Sequence, residues 1–241
     1  MTHAVILLLC KRGDSMDMYY TCAQCAVKAC ESGELDKKPK NCPMHDAEFF
    51  EKVLEEYKKE ENSRFYQTSS AIEALGYCRW PRLREIAEFC KRMGYKRIGI
   101  AFCGGLPKEA EIVANVLRKQ GFEVVSVICK TGAIPKPEAG VTADVLTDIN
   151  GNKIEPSDFQ REIIGEVMCN PIAQAELLNR AETEFNICLG LCVGHDSLFY
   201  QYSKARVTTL VAKDRVTGHN PVAAIYCADT YFKNRNMAGS D

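Results

Sequence analysis

Lys96-Arg97-Ile98-Gly99-Ile100-Ala101-Phe102 is a short apolar run that ends in Cys103-Gly104-Gly105. Without polar alternation, such a run suits a strand buried on both faces, as in parallel sheets. Pro107 to Gln120 then reads as an amphipathic helix, with Ile112, Val113, Val116 and Leu117 inward and Gly121 closing it. Phe122 to Ile128 repeats the strand pattern, and the three segments make a βαβ unit. Downstream, Pro171–Glu182 reads as a helix, 185–190 as a strand, His195–Ser203 as a helix, 207–211 as a strand and 221–227 as a short helix. The class is α/β, with an open, mostly parallel, Rossmann-like sheet of about four strands. Residues 130–168, with Pro135, Pro137, Gly140 and the turn Asn150-Gly151-Asn152, read as an irregular excursion carrying a small hairpin.

Upstream of Tyr95 the pattern is helical. Asp46 caps a helix to Glu60 with Phe49, Phe50, Val53, Leu54 and Tyr57 at helical spacing. A second helix runs from Asn62 or Ser63 towards Gly76. A third starts at Pro81 and ends at Gly94. Three segments follow: 1–17 as a leader or an added strand, 18–94 as a helical metal- or cluster-binding segment, and 95–241 as the α/β domain.

The helical part opens with the densest chemistry in the chain. Cys22, Cys25, Cys30 and Cys42 form a C-x2-C-x4-C-x11-C array. Thiolates are soft ligands that suit zinc or iron–sulfur centres. Structural zinc sites usually show two C-x2-C knuckles or a His pair, and this array has one knuckle. Mixed spacings and a final Cys-Pro, here Cys42-Pro43, favour a [4Fe-4S] cluster, with Zn2+ as the alternative. His45 reads as a solvated residue beside the loop rather than a ligand.

A second group sits where ligands bind in open α/β sheets, beyond the carboxyl ends of the strands. Cys103 follows the first strand, Cys129 the second, and Cys192 the third. Cys169 precedes a helix. This quartet reads as a cofactor site, a second metal or cluster. The bland alternative is inert packed thiols. A further one is a thiol enzyme using Cys169 or Cys192, with His195 as base. His195, Asp196 and His219 are the candidate catalytic residues, set in a polar wall with Lys213, Asp214 and Arg215. Asp196 and His219 have plain readings too, as a cap and a turn residue. Cys188 falls inside a strand and reads as core, and Cys78 and Cys90 read as packed thiols. The Gly104-Gly105 loop is not a dinucleotide fingerprint, because Cys129-Lys130 stands where a ribose-binding acid belongs.

Composition limits the remaining classes. Thirteen cysteines, an odd number, in a 241-residue chain that is 46% hydrophobic fit reduced thiols and ligands better than a disulfide scaffold. That argues for a cytoplasmic setting. A net charge of −1 gives no broad basic face for nucleic acid. No apolar run reaches the roughly 18 residues of a membrane span. The partners this leaves are a redox protein or a small molecule.

Taken in order, the array at 22–42, F-C-G-G-L at 102–106, C-N-P-I-A-Q-A at 169–175, G-L-C-V-G-H-D at 190–196 and K-D-R-V-T-G-H-N-P at 213–221 resemble an uncharacterised family of cysteine-rich "metal-binding" proteins of anaerobic prokaryotes. The resemblance covers nearly everything after Met18. It implies metal binding at Cys22, Cys25, Cys30 and Cys42, and no defined activity. The array is also similar in spacing to the motif that holds an electron-transfer [4Fe-4S] cluster in nickel–iron carbon monoxide dehydrogenases. That likeness implies a cluster and a layout, not that reaction.

Overall fold

A computed structural model describes residues 20–235. The expected leader or added strand at 1–17 lies outside the described residues. Contacts divide the chain into two units, 1–66 and 67–241.

In the first unit, α1 (Ala29–Ser32) is a single turn and α2 spans Ala47–Lys58. Asp46 caps α2, its carboxylate accepting from the Phe49 amide at 3.0 Å. The apolar stripe expected to pack is exposed at Phe49, Phe50, Leu54 and Tyr57. Tyr57 instead meets Tyr66 edge-on at 4.8 Å. Tyr66 lies on α3 (Glu60–Gly76), which begins two residues before the expected Asn62.

The second unit is organised by four parallel strands, β1 (Arg97–Phe102), β2 (Glu123–Ile128), β3 (Phe185–Leu189) and β4 (Arg206–Val211), in the order β2-β1-β3-β4. The expected α/β class and four-stranded parallel sheet are what is found. The central strands β1 and β3 are almost wholly buried, which is why their sequences lack alternation. Helix α4 (Arg82–Met93) buries Ile86, Ala87, Phe89 and Cys90, ends at Gly94 with φ 79°, and sets Phe89 against Phe185 with the rings tilted at 46° and their centroids 5.5 Å apart. Arg82 also donates to the Thr209 carbonyl at 2.7 Å. This helix therefore belongs with the sheet, not with the cysteine segment that the sequence pattern grouped it with.

Helix α5 (Pro107–Lys119) buries Ala110, Val113, Ala114 and Leu117, while Ile112 faces out, contrary to expectation. The excursion holds α6 (Asp158–Gly165), opened by a capping box between Ser157 and Gln160, and the isolated antiparallel bridges Pro135 to Val167 and Thr147 to Lys153. Helices α7 (Pro171–Arg180), α8 (His195–Tyr202) and α9 (Pro221–Tyr226) complete the unit. No helix among the described residues is long and apolar enough to cross a membrane.

The sheet order reverses between β1 and β3. Chain connections leave in opposite directions there, so a crevice opens at the carboxyl ends of these strands. Gly190, with φ 65°, closes β3 at that edge. A Cβ there would sit 2.2 Å from Leu106 Cδ1, so only glycine fits.

Candidate functional sites

The N-terminal quartet is assembled by short turns. Cys22 opens a 3₁₀ turn that the Cys25 amide closes onto the Cys22 carbonyl at 3.1 Å. Lys28, at φ 48°, redirects the chain into α1, which carries Cys30. After Gly33, the Cys42 amide bonds to Pro39 O at 3.0 Å, and Asn41 Nδ2 donates to Thr21 Oγ1 at 2.7 Å, tying the two ends of the array together. All four cysteines line one cavity of about 300 Å³, with Met44, Pro39 and Ala26 among its other walls. None of the four is buried. His45 is not among the lining residues, and its Nε2 lies 2.9 Å from the Pro39 carbonyl. If the four thiols hold metal, His45→Ala should therefore leave the metal content per chain unchanged, measured by elemental analysis.

From 20 to 66, only Ala29 is buried. Fixing one residue's backbone costs roughly 1–2 kcal/mol, so a single buried alanine does not account for the order of this segment. Small domains of this kind usually rely on a metal or cross-links.

On the sheet, backbone bonds bring the other four thiols to one edge. The Cys103 amide reaches the Leu189 carbonyl at 3.2 Å, the Cys129 amide reaches Phe102 O at 2.9 Å, and the Asn170 amide reaches Cys129 O at 2.7 Å. Asn170 caps α7 through Ala173 N, which fixes Cys169 just ahead of that helix. The side chains lie close together: Cys103 and Cys169 both pack against the buried cluster that contains Cys129, and the three thiols perturb one another's ionisation. Cys192 lies within electrostatic range of Cys169.

N–H donors point at these sulfurs. Gly104 N donates to Cys129 Sγ at 3.2 Å, Gly105 N to Cys103 Sγ at 3.4 Å, Lys213 Nζ to Cys103 Sγ at 3.2 Å and Arg215 Nη2 to Cys192 Sγ at 3.1 Å. Sequence reasoning placed Lys213 and Arg215 in a polar wall but missed Gln174. That side chain is fully buried. Its Nε2 donates to the carbonyls of Phe102, at 3.2 Å, and Val127, at 2.7 Å, while its Oε1 has no partner. Its sequence signal was faint: a polar residue one turn after Asn170 on an otherwise apolar helix face.

The thiols are electrostatically unequal. The hydrogen bond from Cys129 brings Cys169 down to about 7; burial opposes this and the Lys130 charge assists it. The bond to Cys129 and burial push Cys103 up to about 12 against its Gly105 and Lys213 donors. For Cys129 the Cys103 bond acts downward, but the Cys169 bond and burial together leave it raised. In the metal-free, reduced chain, alkylation of Cys169 should therefore accelerate as pH rises through about 7, because the thiolate is the nucleophile. Cys103 should stay unlabelled over the same range. Peptide mass spectrometry after timed iodoacetamide pulses reads both.

The candidate catalytic residues fall differently. His195 is half-buried at the start of α8, and burial pushes its pKa down against Asp196, keeping it neutral at pH 7. Asp196 accepts from the Ser197 amide at 2.8 Å, and His219 Nδ1 accepts from the Asp214 amide at 3.1 Å, closing the 213–219 loop. Cys188 is buried in β3, where burial pushes it up to about 11, and Cys90 is packed in α4. Cys78, expected to pack, is exposed at φ 52° in the turn after α3. Among the described residues, no three His, Cys, Asp or Glu side chains close around a point as one metal ion requires.

These features describe a thiol-rich α/β protein with a second, nearly coreless cysteine segment. The chain belongs to the family described as protein of unknown function (DUF1847), whose model matches residues 42–210. That span takes in Cys42 and all four sheet-edge cysteines. The chain is also 47% identical, over 218 residues, to "Uncharacterized protein MJ0455" of Methanocaldococcus jannaschii, covering 90% of this chain and 98% of that protein.

Proposed function

We propose that this is a metal-binding, redox-related protein in which Cys22, Cys25, Cys30 and Cys42 hold a [4Fe-4S] cluster. The observation that carries the reading is the shared cavity: four thiols spread over 21 residues line one hollow in a segment that buries only Ala29. The donor set fits the group. It is all soft sulfur, and His45 is engaged elsewhere.

The arrangement also favours a cluster over one ion. A tetrahedral zinc site with Zn–S near 2.3 Å brings its sulfurs to about 3.8 Å from one another. In a cube each thiolate takes a different iron and the sulfurs stand further apart. The single C-x2-C knuckle, the mixed spacings and the final Cys42-Pro43 suit the cube. The likeness in spacing to the cluster motif of carbon monoxide dehydrogenases points the same way. When bound, such a cluster supplies one-electron transfer, and its exposed rim, where Cys22 and Cys30 are open to solvent, suits exchange with a redox partner.

Protein purified without oxygen should be brown, contain iron and acid-labile sulfide in equal amounts, and show a broad visible absorption that bleaches on reduction. Colourless protein carrying stoichiometric zinc and no sulfide would overturn the cluster and leave a structural zinc site.

A further inference from the structure

The sheet edge is equipped for more than packing. A single reactive cysteine needs one cation or one helix end to stabilise its thiolate. Here three sulfurs on three separate segments each receive their own N–H donors. Cys103 takes Lys213 and Gly105, Cys129 takes Gly104, and Cys192 takes Arg215. The fourth, Cys169, packs against the cluster that contains Cys129 and lies near the Lys130 charge. Donors aimed at several sulfurs at once are the surroundings that thiolate-bound clusters use, where such bonds stabilise the electron-rich ligands.

The location agrees. Cys103 follows β1 and Cys192 lies just past β3, the two strands between which the order reverses and beyond whose ends open α/β sheets bind their ligands; Cys129 follows the adjacent edge strand β2. Along the strands, Gln174 holds the carbonyls one residue before Cys103 and two before Cys129, and it keeps an acceptor unmet. Charge makes the same point: deprotonating all four neighbouring thiols takes more positive charge than Lys213 and Arg215 provide, and metal would supply it.

We propose that Cys103, Cys129, Cys169 and Cys192 hold a second iron–sulfur cluster, with Lys213 and Arg215 as positioning residues that offset its negative charge. Assembly from ferrous and ferric iron with sulfide needs no outside oxidant, and each thiol releases its proton as its sulfur–iron bond forms.

Two full-length variants separate this centre from the N-terminal one. In the first, Cys22, Cys25, Cys30 and Cys42 are all changed to Ser. In the second, Cys129→Ser and Cys169→Ser are combined. Each is reconstituted anaerobically with ferrous and ferric iron and sulfide, and circular dichroism checks that the sheet is folded. The first variant should keep about half of the intact chain's iron and sulfide, with an electron paramagnetic resonance signal after reduction. The second should keep the other half. Arg215→Gln should retain the cluster but titrate at a lower potential.

A folded first variant that takes up no iron overturns the second centre. So does zinc bound without sulfide, or a Cys129–Cys169 disulfide formed in place of the cluster. An unchanged potential in Arg215→Gln removes the role given to that charge. Loss of the N-terminal centre alone would show in the second variant, so either site can fail independently.

Discussion

If the N-terminal quartet holds metal as proposed, chelation from the intact protein is expected to unfold residues 20–46 while the four-stranded sheet remains folded. The segment has one buried side chain and is held by turn bonds such as Cys25 N to Cys22 O and Cys42 N to Pro39 O. Its thiols become a metal-bound cross-link only when loaded. Structural zinc in zinc-finger peptides contributes an apparent ~10–16 kcal/mol to folding, comparable to the whole stability of an ordinary domain, and a metal held by four thiolates here would act in the same sense. Hydrogen exchange read by mass spectrometry should therefore show amides of 20–46 falling to unfolded-chain rates on chelation, with β1 and β3 still protected. Cys25→Ser should produce the same pattern. Protection of 20–46 that survives complete metal removal would mean the turns are self-sufficient.

The second large effect lies in the core beneath the sheet edge. Gly99 in β1 pairs with Asn186 in β3, and a Cβ at Gly99 would sit 2.0 Å from Asn186 Oδ1. Asn186 is fully buried. Its Oδ1 accepts from Thr183 Oγ1 at 2.8 Å, and its Nδ2 donates to Ser203 Oγ at 2.8 Å. Gly99→Val thus crowds a close-packed site and breaks a buried polar network, at a cost of roughly 3 kcal/mol or more. For a chain of this size that lowers Tm by roughly 6–12 °C. Gly99→Ala combined with Asn186→Ala should lose less than the sum of the two single changes, because the clash disappears with the amide. Additive losses in thermal melts would show that the two residues do not compete for the same space.

The central strands were readable because burial on both faces strips most polar residues from them, and Ile98–Phe102 carries that mark openly. Helix α6 was legible but passed over: Ser157-Asp158-Phe159-Gln160 is a capping box inside a stretch dominated by Pro and Gly. Helix α4 was assigned to the wrong neighbour because an amphipathic pattern tells which face is buried, not against what; Phe89 on Phe185 decides it. The stripe on α2 shows the converse, since its helical spacing holds while Phe49 and Leu54 stay exposed.

The sheet-edge site was visible in outline from cysteines at strand ends. Its details came from contacts far apart in sequence: Lys213 on Cys103, Arg215 on Cys192, and Asn170 N on Cys129 O. Gln174 could not be singled out, because a buried amide bridging two strand ends leaves no periodic trace.

X-ray absorption at the metal edge of the anaerobically purified full-length protein tests the thiolate-held metal most directly. Iron coordinated by sulfur alone, with an iron–iron scattering shell, is the expected spectrum. Protein without metal, or metal surrounded by oxygen and nitrogen neighbours, would contradict it.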